Sequence, residues 1–567
     1  MTEPDIGALV RDVQDLQRRV RDLEQRLGAG AEPAAAVETP ARRADAAGAN
    51  ATEAGPRLPA NALPAFGRAL LAIAGAYVLR TLTELGVISH AAGVTAGLVY
   101  GVAWLIVAAR LPEKPKFPVA LSAVTSVAIV APLLWEASAR LNAISSWTCA
   151  TVLAGYVVLG LALSWRKDSA IVPAIVSVSS TCVAALLLLA TRDLYPFTLA
   201  LLAMAAALEF EACRGREGGW RWLAAALADL AVILLTFVVS RRELPEGYAA
   251  IPAHAALMTQ ALLLVIYGAS AVARTLVQRH CFTLLETAQT MAALGISIGG
   301  AAVVLADSAN STAALGLFAL VGGLACYVIS FAVVGLRIKW NFRAWATFGL
   351  LLVLVGTFLP FSGSRYWMLW CGCAVACCWI AMAFRRPTLG LHGAVYLLLG
   401  ALASGVMGQP LSRLFGVEGG AARWWGAALV VASALLAWVA VAISSPGETA
   451  HWRNQASAFT FAAVVTWILA GAAAHELVAA WPGSGAPSDT LGTAVLTLLS
   501  VALASSGMRW QRSELLWLVY GFMALAAWKL IARDFQHEHS LALVVSLLFY
   551  GGTLILLPRI LRTAPVD

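Results

Sequence analysis

From residue 63 onward the chain is a succession of apolar stretches about twenty residues long, separated by short polar breaks. A helix rises about 1.5 Å per residue, so roughly 20 apolar residues cross the ~30 Å hydrocarbon layer of a bilayer. Inside lipid every backbone N–H and C=O must find its partner within the protein, which leaves helices or closed barrels. These stretches are continuously apolar rather than alternating, so they read as helices. Eighteen can be counted between residues 63 and 560, the first at 63–82 and the last at 540–557. The expected fold class is all-α: a polytopic α-helical membrane protein with about 18 transmembrane helices. Segments 195–212, 388–408 and 490–506 fit the pattern least well, and losing one of them would invert the topology beyond it.

Composition agrees with that reading. Hydrophobic residues make up 60% of the 567 and charged residues 12%, against about 25% charged in soluble domains. The net charge of +8 would suggest a nucleic-acid partner in a soluble chain, but its distribution removes that meaning. Residues 1–68 hold nine Arg and ten Asp or Glu, whereas the remainder carries a net +9. The expected partner is the lipid bilayer, with no nucleic acid. If the chain starts inside, twenty Lys and Arg fall on the inner helix ends and ten on the outer ones. That bias follows the rule that cytoplasmic loops are enriched in basic residues, and it places both termini in the cytoplasm. The first 28 residues lack the basic-then-apolar order of a secretory signal.

Those first residues carry a different pattern. Ile6, Leu9, Val13, Leu16, Val20, Leu23 and Leu27 recur at steps of three and four, the seam of a coiled coil. Ile and Val at a with Leu at d favour a parallel pair, so a homo-oligomer formed through residues 5–27 is expected. Three regions follow: a cytoplasmic coiled coil at 1–28, a flexible Ala/Pro/Gly-rich linker at 29–62, and a multi-pass transmembrane domain at 63–560.

Ionisable residues at membrane depth are costly and so draw functional suspicion. Asp229 lies near the middle of its stretch, in AALADLAVILL. It must face a cavity, find a partner or be protonated. It reads either as a proton or cation site or as a packed structural acid, with no second midplane acid beside it. Glu286 and Gln289, one helical step apart, share a face. They could line a vestibule, although a helix-start acid favoured by the dipole is the simpler reading of Glu286. Arg80 and Glu84 stand at i and i+4 and can pair directly. Arg533, Asp534, His537, Glu538 and His539 crowd one predicted outer loop, and a polar loop explains them better than a metal site. Cys371, Cys373, Cys377 and Cys378 cluster in WCGCAVACCW, but two faces of one helix cannot bring four ligands together. No phosphate loop, nucleotide fingerprint, HExxH or nucleophile elbow is present, and no ionisable pair for intramembrane catalysis can be assigned. Neither a cofactor nor an enzymatic activity is expected.

Four segments carry a likeness to known proteins: AGAYVLRTLTELGVI (74–88), AGVTAGLVYGVAWLIVAARL (92–111), LVYGFMALAAWKLIARDF (518–535) and LALVVSLLFYGGTLILLPRI (541–560). In these the chain resembles a bacterial family of predicted polytopic membrane proteins of unknown function, in which a coiled coil and linker precede a long multi-pass body. The resemblance implies a bacterial inner-membrane location and adds no catalytic residue. The leading functional expectation is a non-enzymatic envelope assembly or scaffold component. The alternative is a transporter or flippase for an amphiphilic or lipid-linked substrate, using Asp229 and either Glu286 or Arg80.

Overall fold

The computed structural model describes Arg19 and residues 62–112, 116–141, 143–165, 170–216, 218–241, 243–306, 309–334, 339–361, 363–415, 424–444, 452–480, 487–536 and 540–562. The coiled-coil seam, the linker and His537–His539 lie outside them. The chain divides into two units, residues 1–68 and 69–567.

The described residues are helical, with no strand among them. In chain order the helices are α1 (Ala62–Glu84), α2 (His90–Arg110), α3 (Lys116–Trp135), α4 (Ser146–Ser164), α5 (Ile171–Thr191), α6 (Leu194–Cys213) and α7 (Arg221–Val239). They continue with α8 (Ala253–Val272), α9 (Leu284–Val304), α10 (Ala309–Val328), α11 (Lys339–Phe358), α12 (Arg365–Phe384) and α13 (Pro387–Ala403). The last are α14 (Gly408–Leu414), α15 (Trp424–Ser444), α16 (Trp452–Ala480), α17 (Pro487–Arg509), α18 (Ser513–Ala532) and α19 (Ser540–Arg562). Seventeen are long and apolar enough to cross a membrane, and the architecture is that of a multi-pass membrane protein. The exceptions are α13 and α14, which meet at a 59° bend and pass the same test only together. That break lies in segment 388–408, one of the three that fitted the sequence pattern poorly. The other two, α6 and α17, are ordinary long helices.

Helix ends follow local chemistry. Ser89 and Ser145 cap α2 and α4 through their side-chain oxygens, satisfying backbone donors that the first turn leaves open. Thr283 and Glu286 form a reciprocal capping box on α9, as Thr-x-x-Glu predicts. Three helices run on into π-helical turns: Glu136–Arg140 after α3, Ala273–Val277 after α8 and Ile329–Val334 after α10. Such turns often occur at functional sites, and the first two carry charged residues that matter below.

Contacts between helix ends show that successive helices alternate in direction. The end of α4 meets the end of α6 where Trp165 Nε1 donates to Glu211. The starts of the same two helices meet where Trp147 packs edge-on against Tyr195 at 5.5 Å. The end where α2 finishes is called proximal and the end where it starts distal. The apolar core is laid out in chain order as four overlapping clusters, centred on α2–α9, α8–α11, α11–α16 and α14–α19.

Candidate functional site

The polar interior of the protein is concentrated between α6, α7, α8 and α9. Arg221 is the first residue of α7, Arg274 lies in the π-turn after α8, and Glu286 is in the first turn of α9. All three side chains are buried. Arg221 Nη2 and Arg274 Nη1 both approach the same oxygen, Glu286 Oε1, at 2.6 Å each. The other oxygen, Oε2, accepts the Thr283 N–H at 2.8 Å and so closes the capping box. Glu286 is therefore the helix-start acid that its position suggested, and it is also the counter-ion of two buried guanidiniums. Both arginines counted as loop cations in the sequence-level charge tally. The structure corrects that, because each helix begins or ends with the guanidinium turned into the bundle. It also supplies the intramembrane ionisable pairing that could not be assigned from sequence.

Asp229 sits two turns deeper on α7. It is 8% exposed, and its Oδ2 accepts a 2.8 Å hydrogen bond from Gln289 Nε2 on α9. Gln289 is one turn along from Glu286, so the pairing of Glu286 with Gln289 on one face is what joins the charged cluster to Asp229. Further acids lie nearby on α6. Glu209, also buried, accepts from Ser270 Oγ of α8 at 2.6 Å. Four buried carboxylates therefore lie within this group of helices: Glu209, Glu211, Asp229 and Glu286.

Polar groups continue toward the distal end. Gln260 of α8 donates to Thr236 Oγ1 of α7 at 2.9 Å. Gly300 of α9 lies against them, and a Cβ there would come within 2.6 Å of Gln260 Nε2. Of the three glycines in GISIGGAA, Gly300 alone is in such close contact, since a Cβ at Gly295 or Gly299 would meet open space. The result is a buried polar seam. On α7 it runs through Arg221, Asp229 and Thr236, on α8 through Gln260, Tyr267 and Arg274, and on α9 through Glu286, Gln289 and Ser297. Among the described residues five of its buried atoms find no hydrogen-bond partner: Arg221 Nη1, Asp229 Oδ1, Tyr267 Oη, Gln260 Oε1 and Ser297 Oγ. Each belongs to a residue at most 8% exposed. A buried polar atom without a partner ordinarily costs about 1–3 kcal/mol, so five in one seam need a reason. The same three helices present Leu230, Ile233, Met258, Val265, Leu284 and Val303 outward. The seam therefore lies one helix thickness from the apolar surface.

The other two candidates lie elsewhere. Arg80 and Glu84 do pair, with Nε donating to Oε1 at 2.9 Å. Arg80 also holds Glu136, whose Oε1 is 2.9 Å from Arg80 Nη1. This group is at the distal end of α1 and α3, whereas the Glu286 cluster is proximal, so one site does not contain both. Asp534, read as part of an outer polar loop, is instead buried together with Lys529. Lys529 is 0% exposed and donates to Asp534 Oδ1 at 2.8 Å, while Thr493 Oγ1 donates to Asp534 Oδ2 at 2.7 Å. Cys371 packs against Gly400 of α13, and Cys378 and Cys377 both lie against Gly393. Among the described residues no three His, Cys, Asp or Glu side chains come together as metal ligands.

Arg221, Arg274, Tyr267, Gln260 and Ser297 were not singled out from the sequence. A signal existed for one of them: Arg274 stands inside the unbroken apolar run GASAVARTLV, where a loop cation has no reason to be. Comparison of the chain with known protein families, with curated proteins and with solved structures finds no match.

Proposed function

We propose that the protein is a membrane transporter for an anionic amphiphilic substrate, with the seam between α7, α8 and α9 as its path. The observation that carries this reading is the row of five buried, unpartnered polar atoms along three adjacent spanning helices. A scaffold bundle gains nothing from leaving them unpaired, whereas a path for a polar head requires donors and acceptors that a passing group can engage. In this conformation the two guanidiniums close the proximal end on Glu286 Oε1. Both guanidiniums converge on one carboxylate oxygen, and Arg221 Nη1, without a hydrogen bond among the described residues, would take an anionic group. A substrate anion that replaced Glu286 there would free the carboxylate and loosen the contact between α7, α8 and α9. Asp229, held only by Gln289, is placed to take up a proton or a cation as the head passes. The outward apolar faces of the same helices would accompany the substrate's tail. No catalytic step forms part of this reading.

Water access provides a test that needs no knowledge of the substrate. In a background with the nine native cysteines replaced, Asp229→Cys, Thr236→Cys and Ser297→Cys should react with a membrane-impermeant methanethiosulfonate in proteoliposomes. Leu230→Cys, on the outer face of α7, should not. Seam cysteines that react no faster than Leu230→Cys would remove the basis for transport.

The remaining placement follows the same proposal. Counting α13 and α14 as one crossing gives eighteen, with both termini in the cytoplasm of a bacterial inner membrane, as in the family the chain resembles. Residues 5–27 would pair copies of the chain, so deletion of 1–28 should lower the mass measured by light scattering in detergent. An unchanged mass would remove the coiled coil from the assembly.

A further inference from the structure

At the distal end, away from the seam, α1, α2 and α3 enclose a cavity of about 500 Å³. Its upper part is charged: Arg80, Glu84, His90, Glu136 and Arg140 line it. Its lower part is apolar, with Ile73, Ala76, Val94, Gly97, Ile129 and Leu133 as walls. From Glu84 to Ile73 along α1 is about 16 Å at 1.5 Å per residue. The charges lie where spanning helices end, at head-group depth, and the apolar walls run inward at acyl-chain depth. Polarity and position thus follow those of a bilayer lipid.

The charges narrow the choice of lipid. Two guanidiniums and two carboxylates balance, so neither a purely anionic nor a purely cationic head is favoured. Arg80 Nη1 lies 2.9 Å and Arg140 Nη1 3.8 Å from the same atom, Glu136 Oε1. Among the described residues Glu136 Oε2 accepts no hydrogen bond. Glu84 is open to solvent beyond its single contact with Arg80, and the Arg140 side chain is 74% exposed. A donor is therefore wanted near Glu136 and Glu84, and an acceptor near Arg140 and His90. A primary ammonium two carbons from a phosphate supplies both. We propose that this cavity binds one phospholipid with an ethanolamine head, its ammonium on Glu136 and Glu84, its phosphate at Arg140 and His90, and the upper part of one chain along α1 and α3. A glycerol head would place its phosphate beside two carboxylates with no cation of its own. A choline head carries no N–H to donate. The site does not depend on the transport reading.

Native mass spectrometry of the full-length protein in detergent tests the assignment. The probes are phosphatidylethanolamine, phosphatidylglycerol and phosphatidylcholine with identical chains, added in equal amounts. The intact protein should retain the ethanolamine lipid about fivefold over either competitor, the scale expected of one charge-assisted contact. Glu136→Gln should abolish the preference. Arg140→Ala, at an exposed side chain that cannot disturb folding, should reduce ethanolamine-lipid retention about threefold. Ala76→Phe, which fills the apolar part and leaves every charge in place, should reduce retention of all three. Equal retention of the three lipids by the intact protein would overturn the proposal. So would an ethanolamine preference that persists in Arg140→Ala and Glu136→Gln alike, which would place the lipid elsewhere on the surface.

Discussion

Glu286 and Asp229 are both buried acids of the same seam, yet they differ in what depends on them. Glu286 binds two buried guanidiniums through a single oxygen. Glu286→Gln takes that shared charge from both, and breaking a buried pair in this way costs about 3–5 kcal/mol. The variant should lose a large part of its thermal resistance in detergent, measured by fluorescence-detected size exclusion after heating. Asp229 has one neutral partner, Gln289, and an asparagine of the same shape still accepts that bond. Asp229→Asn should therefore change stability by no more than about 1 kcal/mol. It should nonetheless abolish flipping of a fluorescent phosphatidylglycerol in proteoliposomes. If Asn at 229 flips lipid at the parental rate, the residue has no part in transport. Much of this pair was legible beforehand: the capping box from Thr-x-x-Glu, the shared face from the three-residue spacing, and the oddity of Asp229 from its apolar surroundings. The cationic half was not. A basic residue at a helix end reads as a loop anchor, and only packing decides whether its guanidinium turns outward to water or inward to an acid on another helix.

Among helix pairs, α10 and α11 show how small residues set the geometry. Gly316 and Gly323 on α10 face Gly349 and Gly356 on α11, seven residues apart on each helix. A Cβ built on Gly356 would lie 2.5 Å from the Leu320 backbone nitrogen, and one on Gly323 would lie 2.9 Å from that of Val353. Lipid gives helices little hydrophobic reason to associate, so close backbone approach supplies the contact instead. Gly356→Val would have to part the two helices, at a cost of about 1–3 kcal/mol or more. Gly295→Ala, where added bulk meets open space, should be neutral or stabilise by up to about 1 kcal/mol. The same heating assay separates the two, and a Gly356→Val protein as resistant as the parent would show that the approach is not what holds α10 to α11. In the sequence a small-residue stretch such as GGLA at 322–325 reads as packing material, and Gly323 does meet α11 closely. The sequence could not tell Gly300 from Gly295, because both stand in the same small-residue stretch and only one meets a neighbour.

For the whole molecule the open question is whether α13 and α14 cross the membrane once or turn back within it. Alone, α13 has 17 residues and spans about 25 Å, short of the ~30 Å hydrocarbon layer. Its neighbour α16 gives the answer. Gly390, in the first turn of α13, lies against Ser457 near the start of α16. Beyond the bend, Trp467 Nε1 of α16 donates to the Met407 carbonyl at 2.9 Å, and Gly471 packs on Pro410 of α14. From Ser457 to Gly471 is about 21 Å along α16, so the broken pair keeps pace with an unbroken spanning helix. Its far end, Leu414, then meets Gly492 at the start of α17, the helix that follows α16 on that side. A re-entrant loop would have returned to the start of α16. The packing thus supports the proposed reading of the pair as one crossing, and the proposed count of eighteen would put the two termini on the same side. The charge pattern fits this arrangement even after correction. Removing the buried Arg221, Arg274 and Lys529 from the sequence tally leaves eighteen basic residues on the expected inner ends and nine on the expected outer ones. Fusing a fluorescent protein that matures only in the cytoplasm, and a phosphatase that folds only outside it, to each terminus in turn reads the side directly. Both ends should fluoresce and neither should show phosphatase activity. A C-terminal fusion active as a phosphatase beside a fluorescent N-terminus would make the count seventeen and turn α13 and α14 into a re-entrant hairpin.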